Sequence, residues 1–308
     1  MNSENLDISL TPRTGPRYNL RLNQSSIEIL ALVFEFKVLG SWHITRFLIQ
    51  KDRSRYIYTK LRRMWQAGYL ESFKLFTGSI AGIPLYYTLS RAGLKVLLKE
   101  NLYSPSQIAK YPSPQTLFSS GLFEHEKQVA ELASKEAKNQ TKDLKINFKG
   151  EITSQGTDFM DDKVIEALTP DYTVFYTFAG QTQIIYSELE RTQKGKLAML
   201  RKVERYKNFL KPEQLKNRTL RLIFQTQEME ATFWLNIYTN RPGLLNTLRI
   251  VTTNTALLKD HHKFVEETYA THKTIKLSKP VRLMVDTSRR VRLFEFLWAP
   301  KFCPRICI

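Results

Sequence analysis

The sequence predicts a mixed α/β (α+β) fold in two parts, and three observations predict it. Residues 25–100 carry helical patterns followed by two short β-like runs and a further helix. Residues 122–225 read helix, strand, hairpin, helix, strand, the order of a mixed sheet flanked by helices. Between these runs, Pro112 and Pro114 within Tyr111-Pro-Ser-Pro-Gln115 mark a linker. The expected division is a loose arm over residues 1–24, a first domain over 25–110 and a second over 111–308.

Composition bounds the function. The chain has 308 residues, 42% hydrophobic and 12% aromatic, which suits a folded protein and is too aromatic for disorder. Lys and Arg outnumber Asp and Glu by 47 to 29, a net charge of +18. Such an excess favours polyanions, nucleic acid first and an acidic membrane surface second. The cations are spread along the chain, so folded domains rather than a tail are expected to make the contacts. The polar start, Met1 to Arg21 with Pro12 and Pro16, suggests the loose arm. The longest apolar stretch, Ile27 to Phe36, contains Glu28 and Glu35 and is too short to span a bilayer. Two cysteines, Cys303 and Cys307, exclude a disulfide framework and cannot complete a structural zinc site. The expected compartment is the cytoplasm, with no membrane partner.

In the first module, Ile27–Val38 and His43–Gln50 read as helices. A third runs from about Asp52 to Ala67, with Asp52 or Ser54 placed to cap it and Gly68 to end it. Strands over Leu70–Phe76 and Leu85–Leu89 enclose a glycine-bearing loop, Thr77–Pro84, and Ser90 is placed to cap a last helix. Helices followed by a hairpin are the winged-helix variant of helix-turn-helix. At about 100° per residue, Ile57, Leu61 and Met64 of the third helix face the core. Arg55, Thr59, Arg62 and Gln66 face the other way with Tyr58 beside them, and no acid interrupts them. Arginine binds phosphate or guanine bidentately, so this face fits a major groove, and Lys74 in the first wing strand adds a phosphate contact. Double-stranded DNA is the expected partner, with a homodimer the second candidate.

In the second half, a helix over Leu122–Lys138 and a strand over Leu144–Phe148 precede an irregular stretch, Gly150–Asp162. Thr169–Phe178 and Gln181–Glu190 then flank Ala179-Gly180 as a hairpin. With a two-residue loop, Phe178 pairs with Gln181 and Asp171 falls opposite Glu188, at about 5 Å between Cβ atoms. Glu190 shares the face of Glu188. A three-residue loop would instead turn Asp171 to the other face. Three converging carboxyl groups repel one another, and Mg²⁺ or Mn²⁺ would offset that repulsion. Gly195–Leu210 reads as a helix burying Met199, Leu200, Val203, Tyr206 and Leu210, with Lys202 and Tyr206 at the edge of that stripe. Thr219–Gln225 is a further strand.

Pro170-Asp171, Glu188-Leu-Glu190 and the helix bearing Lys202 resemble the PD-(D/E)xK nuclease core. Glu190 stands where that motif has its lysine, and members with a displaced lysine take it from the following helix, which points to Lys202. The wider arrangement resembles the replication-relaxation family of plasmid and mobile-element proteins, which includes mobilisation-type relaxases. It rests on Tyr86-Tyr-Thr-Leu-Ser-Arg-Ala-Gly-Leu, His125, Glu188-Leu-Glu-Arg-Thr192 and Lys202-Val-Glu-Arg-Tyr206. The resemblance implies a restriction-endonuclease-like domain that nicks or cleaves DNA. Asp171, Glu188 and Glu190 would bind the metal, with Lys202 as electrophilic helper and Asp171, Glu188, Glu190 and Lys202 as the catalytic set. His125 shares the inward face of Leu122 and Val129, and is either a core residue or, with Glu126 and Tyr206, an outer support of that metal.

Two rival functions stay open. One is a non-enzymatic replication or transcription regulator whose nuclease-like half has become a dimerisation platform. The other is a relaxase using Tyr172, Tyr186 or Tyr206 as nucleophile. Beyond residue 225, Trp234–Tyr238 reads as a strand, Leu244 opens a helical stretch, Val281–Val285 reads as a strand, and His261-His262 sits in a helix.

Overall fold

The computed structural model describes residues 8–13, 19–48, 54–75, 85–119, 122–154, 169–191, 196–210, 218–241, 243–244 and 248–254. Asp52, Thr77–Pro84, residues 155–162, His261-His262, Val281–Val285, Cys303 and Cys307 lie outside them.

The first module has the element order read from the sequence. Helices α1 (Gln24–Phe36), α2 (Ser41–Phe47) and α3 (Ser54–Gln66) precede strands β3 (Leu70–Leu75) and β4 (Leu85–Leu89) and helix α4 (Arg91–Lys99). Short local signals set the ends. Asn23 caps α1 by accepting from Ser26 N–H, and Ser90 caps α4 by accepting from Ala92 and Gly93 N–H. Gly68, at φ 85°, turns the chain out of α3 into β3.

The expected loose arm is corrected in its described part. Residues Ile8–Leu10 form β1, antiparallel to β3, and β2 (Leu39–Gly40) pairs with β4 to complete the sheet β1-β3-β4-β2. Arg13 pins the segment by donating to Glu71 Oε1 at 2.5 Å and to the Trp65 and Leu70 carbonyls. A three-residue apolar-polar-apolar run finds an open strand edge, and one cation then fixes it.

Of two short helices, α5 (Pro105–Ala109) precedes the expected linker and α6 (Pro114–Ser119) begins within it. Then come α7 (Leu122–Ala137), β5 (Leu144–Gly150), β6 (Tyr172–Phe178), β7 (Gln181–Glu190), α8 (Lys196–Phe209), β8 (Arg218–Phe224), α9 (Gln227–Asn240) and β9 (Arg249–Asn254). Strands β5 to β9 form one mixed sheet in sequence order, antiparallel from β5 to β7 and parallel from β7 to β9. Alternation along each strand separates two cores. Ile146, Val174, Ile185, Leu189 and Ile223 pack in one cluster with residues of α1, α3, α7 and β4. Ile184, Tyr186, Leu220, Leu222 and Phe224 face α8 and α9 on the other side. The first module and the second sheet therefore share a hydrophobic core.

Two expectations past residue 225 are corrected. Trp234–Tyr238 is helical, within α9. Thr226 caps that helix by accepting from Met229 N–H, Glu228 and Glu230 lie in its first turn, and Phe233 and Ile237 bury one stripe. The helical stretch expected from Leu244 gives way to β9, which extends the sheet beside β8. No helix among the described residues is long and apolar enough to cross a membrane.

Candidate functional site

The hairpin has the two-residue register. Phe178 pairs with Gln181, and Ala179 and Gly180 both adopt positive φ (49° and 76°), the turn whose twist matches the flanking strands. Pairing runs down to Tyr172 and Ser187, so Asp171 comes beside the Glu188 end of β7. Leu189 N–H donates to Asp171 Oδ2 at 2.5 Å and fixes it there. Glu188 and Glu190 alternate onto the side of the sheet that α8 covers.

Helix α8 buries Met199, Leu200, Val203, Tyr206 and Leu210, which sets Lys202 over the carboxyl groups. Its Nζ donates to Glu188 Oε2 and to Glu190 Oε1, each at 2.6 Å. Tyr206 OH donates to Glu188 Oε1 at 2.6 Å. From the start of α7, His125 Nε2 lies 3.0 Å from Asp171 Oδ1. Six of the expected residues thus meet at one place: Asp171, Glu188, Glu190, Lys202, Tyr206 and His125. Glu126 does not join them. Its carboxylate turns to Lys37 Nζ at 2.7 Å, because the residue after His125 points along a different side of α7.

Burial and contact charges set the protonation of the group. Burial, with repulsion from Asp171, outweighs Lys202 and Tyr206 and pushes the Glu188 carboxyl up to about 7. Burial works against the Asp171 carboxylate, yet His125 and the Leu189 N–H hold it below the usual range. Burial would discharge Lys202, but Glu188 and Glu190 raise it above the ordinary lysine range. Burial likewise opposes charge on His125, and Asp171 reverses that and raises it.

The expected metal can be tested against this geometry. Both oxygens of Asp171 and both of Glu188 are engaged by protein groups, and an ammonium already bridges Glu188 to Glu190. Among the described residues no set of three or more His, Cys, Asp or Glu side chains is arranged to hold a metal ion. As placed, the residues do not fit a divalent cation. The arrangement instead neutralises its own carboxyl groups and keeps one of them, Glu188, titrating near neutrality.

The expected DNA face lies on α3. Arg55, Tyr58, Thr59 and Arg62 are exposed, Gln66 and Lys74 half-buried, and Ile57, Leu61 and Met64 buried. Tyr56 and Arg63 are exposed too and escaped the angular reading. Lys60 is buried and donates to Asn23 Oδ1 at 2.8 Å, tying α3 to the cap of α1.

Besides Lys60, two further buried cations were missed in the sequence. Lys37, the C-cap of α1, donates to Glu126 and to Glu151. Arg221 in β8 makes a two-pronged pair with Glu136 of α7 at 2.8 and 2.9 Å and also donates to Tyr172 OH and Ser187 Oγ. The available signal was a lone cation inside an apolar run, Phe36-Lys-Val-Leu39 and Thr219-Leu-Arg-Leu-Ile-Phe224.

No curated protein and no solved structure matches the chain. A family model described as replication-relaxation matches residues 30–224, from α1 through the end of β8. That span holds α3, the hairpin register and all of Asp171, Glu188, Glu190 and Lys202, and membership implies a role in plasmid replication or relaxation. With well over half its length matched, the chain belongs to the replication-relaxation family.

Proposed function

We propose that this chain binds duplex DNA through α3 of an N-terminal winged helix, as its part in plasmid replication or relaxation. The observation that carries the reading is the outward face of α3. Arg55, Tyr58, Thr59 and Arg62 are exposed on a helix whose sequence, Ser54 to Gln66, contains no acid. Arginine on such a face suits both phosphate and guanine. Binding to a duplex carrying the plasmid's own site, followed by fluorescence anisotropy, tests it. Arg55→Ala and Arg62→Ala should each weaken binding by about tenfold, since one bidentate arginine–guanine pair carries about 1–3 kcal/mol. Unchanged affinity in the double variant overturns the reading.

A cutting role with Mg²⁺ or Mn²⁺ is the second reading, and one observation favours it. Lys202 lies on the helix after Glu190 and within 2.6 Å of both glutamates, the placement that the displaced-lysine pattern requires. The bonded state of the cluster favours the non-cutting reading, in which these residues brace α8 against β7. Supercoiled plasmid carrying the cognate site separates the two. Metal-dependent nicking that is lost in Asp171→Ala and Glu188→Ala would establish cutting, and intact plasmid with DNA binding retained would establish the brace.

A further inference from the structure

The sheet face that carries the acidic cluster is covered by α8 and α9 on one half, and on the other half Thr173 is buried against Ser154. Under α8 and α9, Ile184, Tyr186, Leu220, Leu222 and Phe224 are buried. Strands β5 and β6 continue the same face. Register sets Lys145 beside Thr177, Asn147 beside Phe175 and Lys149 beside Thr173, all in phase with Asp171. Lys145, Asn147 and Lys149 are exposed, and Phe175 and Thr177 are half-buried. Among the described residues β5 is the sheet edge, so nothing described lies outside this row. Lys149 Nζ sits 5.5 Å from the centre of the Phe175 ring, which itself packs on the α8 side core. Arg201 and Arg205 are exposed on α8. Acids near the row are Asp171, in phase with it, Glu35, close enough to interact with Lys149, and Asp143, exposed beside Lys142 before the strand begins.

We propose that this open lane, Lys145, Asn147 and Lys149 with the Phe175 ring in its floor, binds a single DNA strand. The charge is of the right sign, and an amide lies between the two ammonium groups to accept or donate at a sugar or base edge. One row of cations, spaced by about 13 Å along a strand rising roughly 3.3 Å per residue, follows one phosphate backbone rather than the two of a duplex. A half-buried aromatic ring beside such a row is the combination that holds single strands without regard to sequence. The surface is separate from α3 and takes a different form of DNA, the unpaired strand that opening a plasmid duplex produces.

The test uses the full chain and a fluorescent oligo(dT) of about fifteen nucleotides, a length within the usual single-strand site range. The cognate duplex is titrated in parallel. The charge-reversed pair Lys145→Glu with Lys149→Glu should weaken oligo(dT) binding by about tenfold or more and lower its salt slope by about 1.4, two contacts at about 0.7 each. Duplex affinity should stay within about twofold, because α3 carries the duplex contacts. The milder pair Lys145→Gln with Lys149→Gln should show the same slope change, which excludes damage from the introduced acids. Unchanged oligo(dT) affinity in both pairs would reduce the lysines to guards of a sheet edge and overturn the proposal. Equal loss on oligo(dT) and duplex would overturn it as well, by making the lane part of the duplex site. Failure of the α3 reading shows separately, as duplex binding indifferent to Arg55→Ala and Arg62→Ala.

Discussion

Lys202 Nζ lies 2.6 Å from Glu188 Oε2, on the side of the sheet where a divalent cation was expected from the sequence. The ammonium also reaches Glu190 at 2.6 Å, so one side chain neutralises two buried carboxyl groups. Removing it takes this shared countercharge from both. Lys202→Met should therefore lower stability by about 3 kcal/mol, the lower end for breaking a buried pair, since Lys202 is partly exposed. The same substitution empties the place beside two oxygen ligands, so Mn²⁺ should raise the melting temperature of Lys202→Met while leaving that of the wild type unmoved. Melting curves with and without Mn²⁺ read both effects. A wild-type protein stabilised by Mn²⁺ would show that the cation displaces the lysine.

The same cluster makes stability depend on pH. The Glu188 carboxyl sits at about 7 in the folded protein against an ordinary 4.5. The folded state thus holds its proton more tightly than the unfolded chain, so this contribution is complete below 4.5 and is lost as pH rises to about 7. His125 is raised above its ordinary 6.5, so its contribution is complete below 6.5 and disappears at higher pH still. Asp171 is depressed below 3.8, and its contribution fails only on further acidification. Burial also raises Glu35 and Glu126, which tilts the profile the same way. The melting temperature should fall between pH 5 and pH 7.5. Glu188→Gln, which preserves the shape of the side chain, should flatten the part below 7 and leave the His125 part standing. Parallel profiles of the two proteins would remove Glu188 as the source.

How far the sequence carries depends on how local the determining interaction is. The Asp171–Glu188 juxtaposition was legible because a two-residue turn and strict alternation fix the register of β6 against β7. The lean of Lys202 was legible because Tyr206, one turn away, belongs to the buried stripe of α8. That Lys202 bonds both glutamates was not legible. It depends on where the β7-α8-β8 crossover sets the helix over the sheet. Helix α9 was misread because Trp234 to Tyr238 is rich in strand-favouring types, while its Thr226 cap lies eight residues upstream. The pairs Lys37–Glu126 and Arg221–Glu136 join residues 89 and 85 positions apart, and no local pattern encodes such a meeting.

Lys37 is the cation through which the first module grips the second sheet. It closes α1 with φ 57° and inserts its ammonium between Glu126 of α7 and Glu151 after β5. Lys37→Met should destabilise the protein by about 3–5 kcal/mol, because buried Glu126 loses the cation that offsets its desolvation. Adding Glu126→Gln should recover a large part of that loss, since both members of the pair are then neutral. A double variant as unstable as the sum of its parts would mean that the two side chains act independently. Denaturant melts of the four proteins complete the cycle.

Gly150 joins the same two regions by backbone alone. Its N–H donates to Glu35 Oε2 at 2.6 Å, and a Cβ added to it would lie 1.6 Å from the Glu35 carbonyl oxygen. Backbone cannot yield to a methyl group at that distance, so α1 and β5 would have to separate. Gly150→Ala should cost more than about 3 kcal/mol, beyond ordinary overpacking, and expose the core they share. Gly180 offers the control. It has positive φ, 76°, and a Cβ added there would meet no atom within 4 Å, so Gly180→Ala meets only backbone strain of about 1–2 kcal/mol. Urea denaturation of the two variants ranks them. If Gly150→Ala proved no worse than Gly180→Ala, the close approach of α1 to β5 would not be a fixed feature of the fold. A larger loss at Gly150 would make it the point where the first module is set against the sheet that carries the acidic cluster.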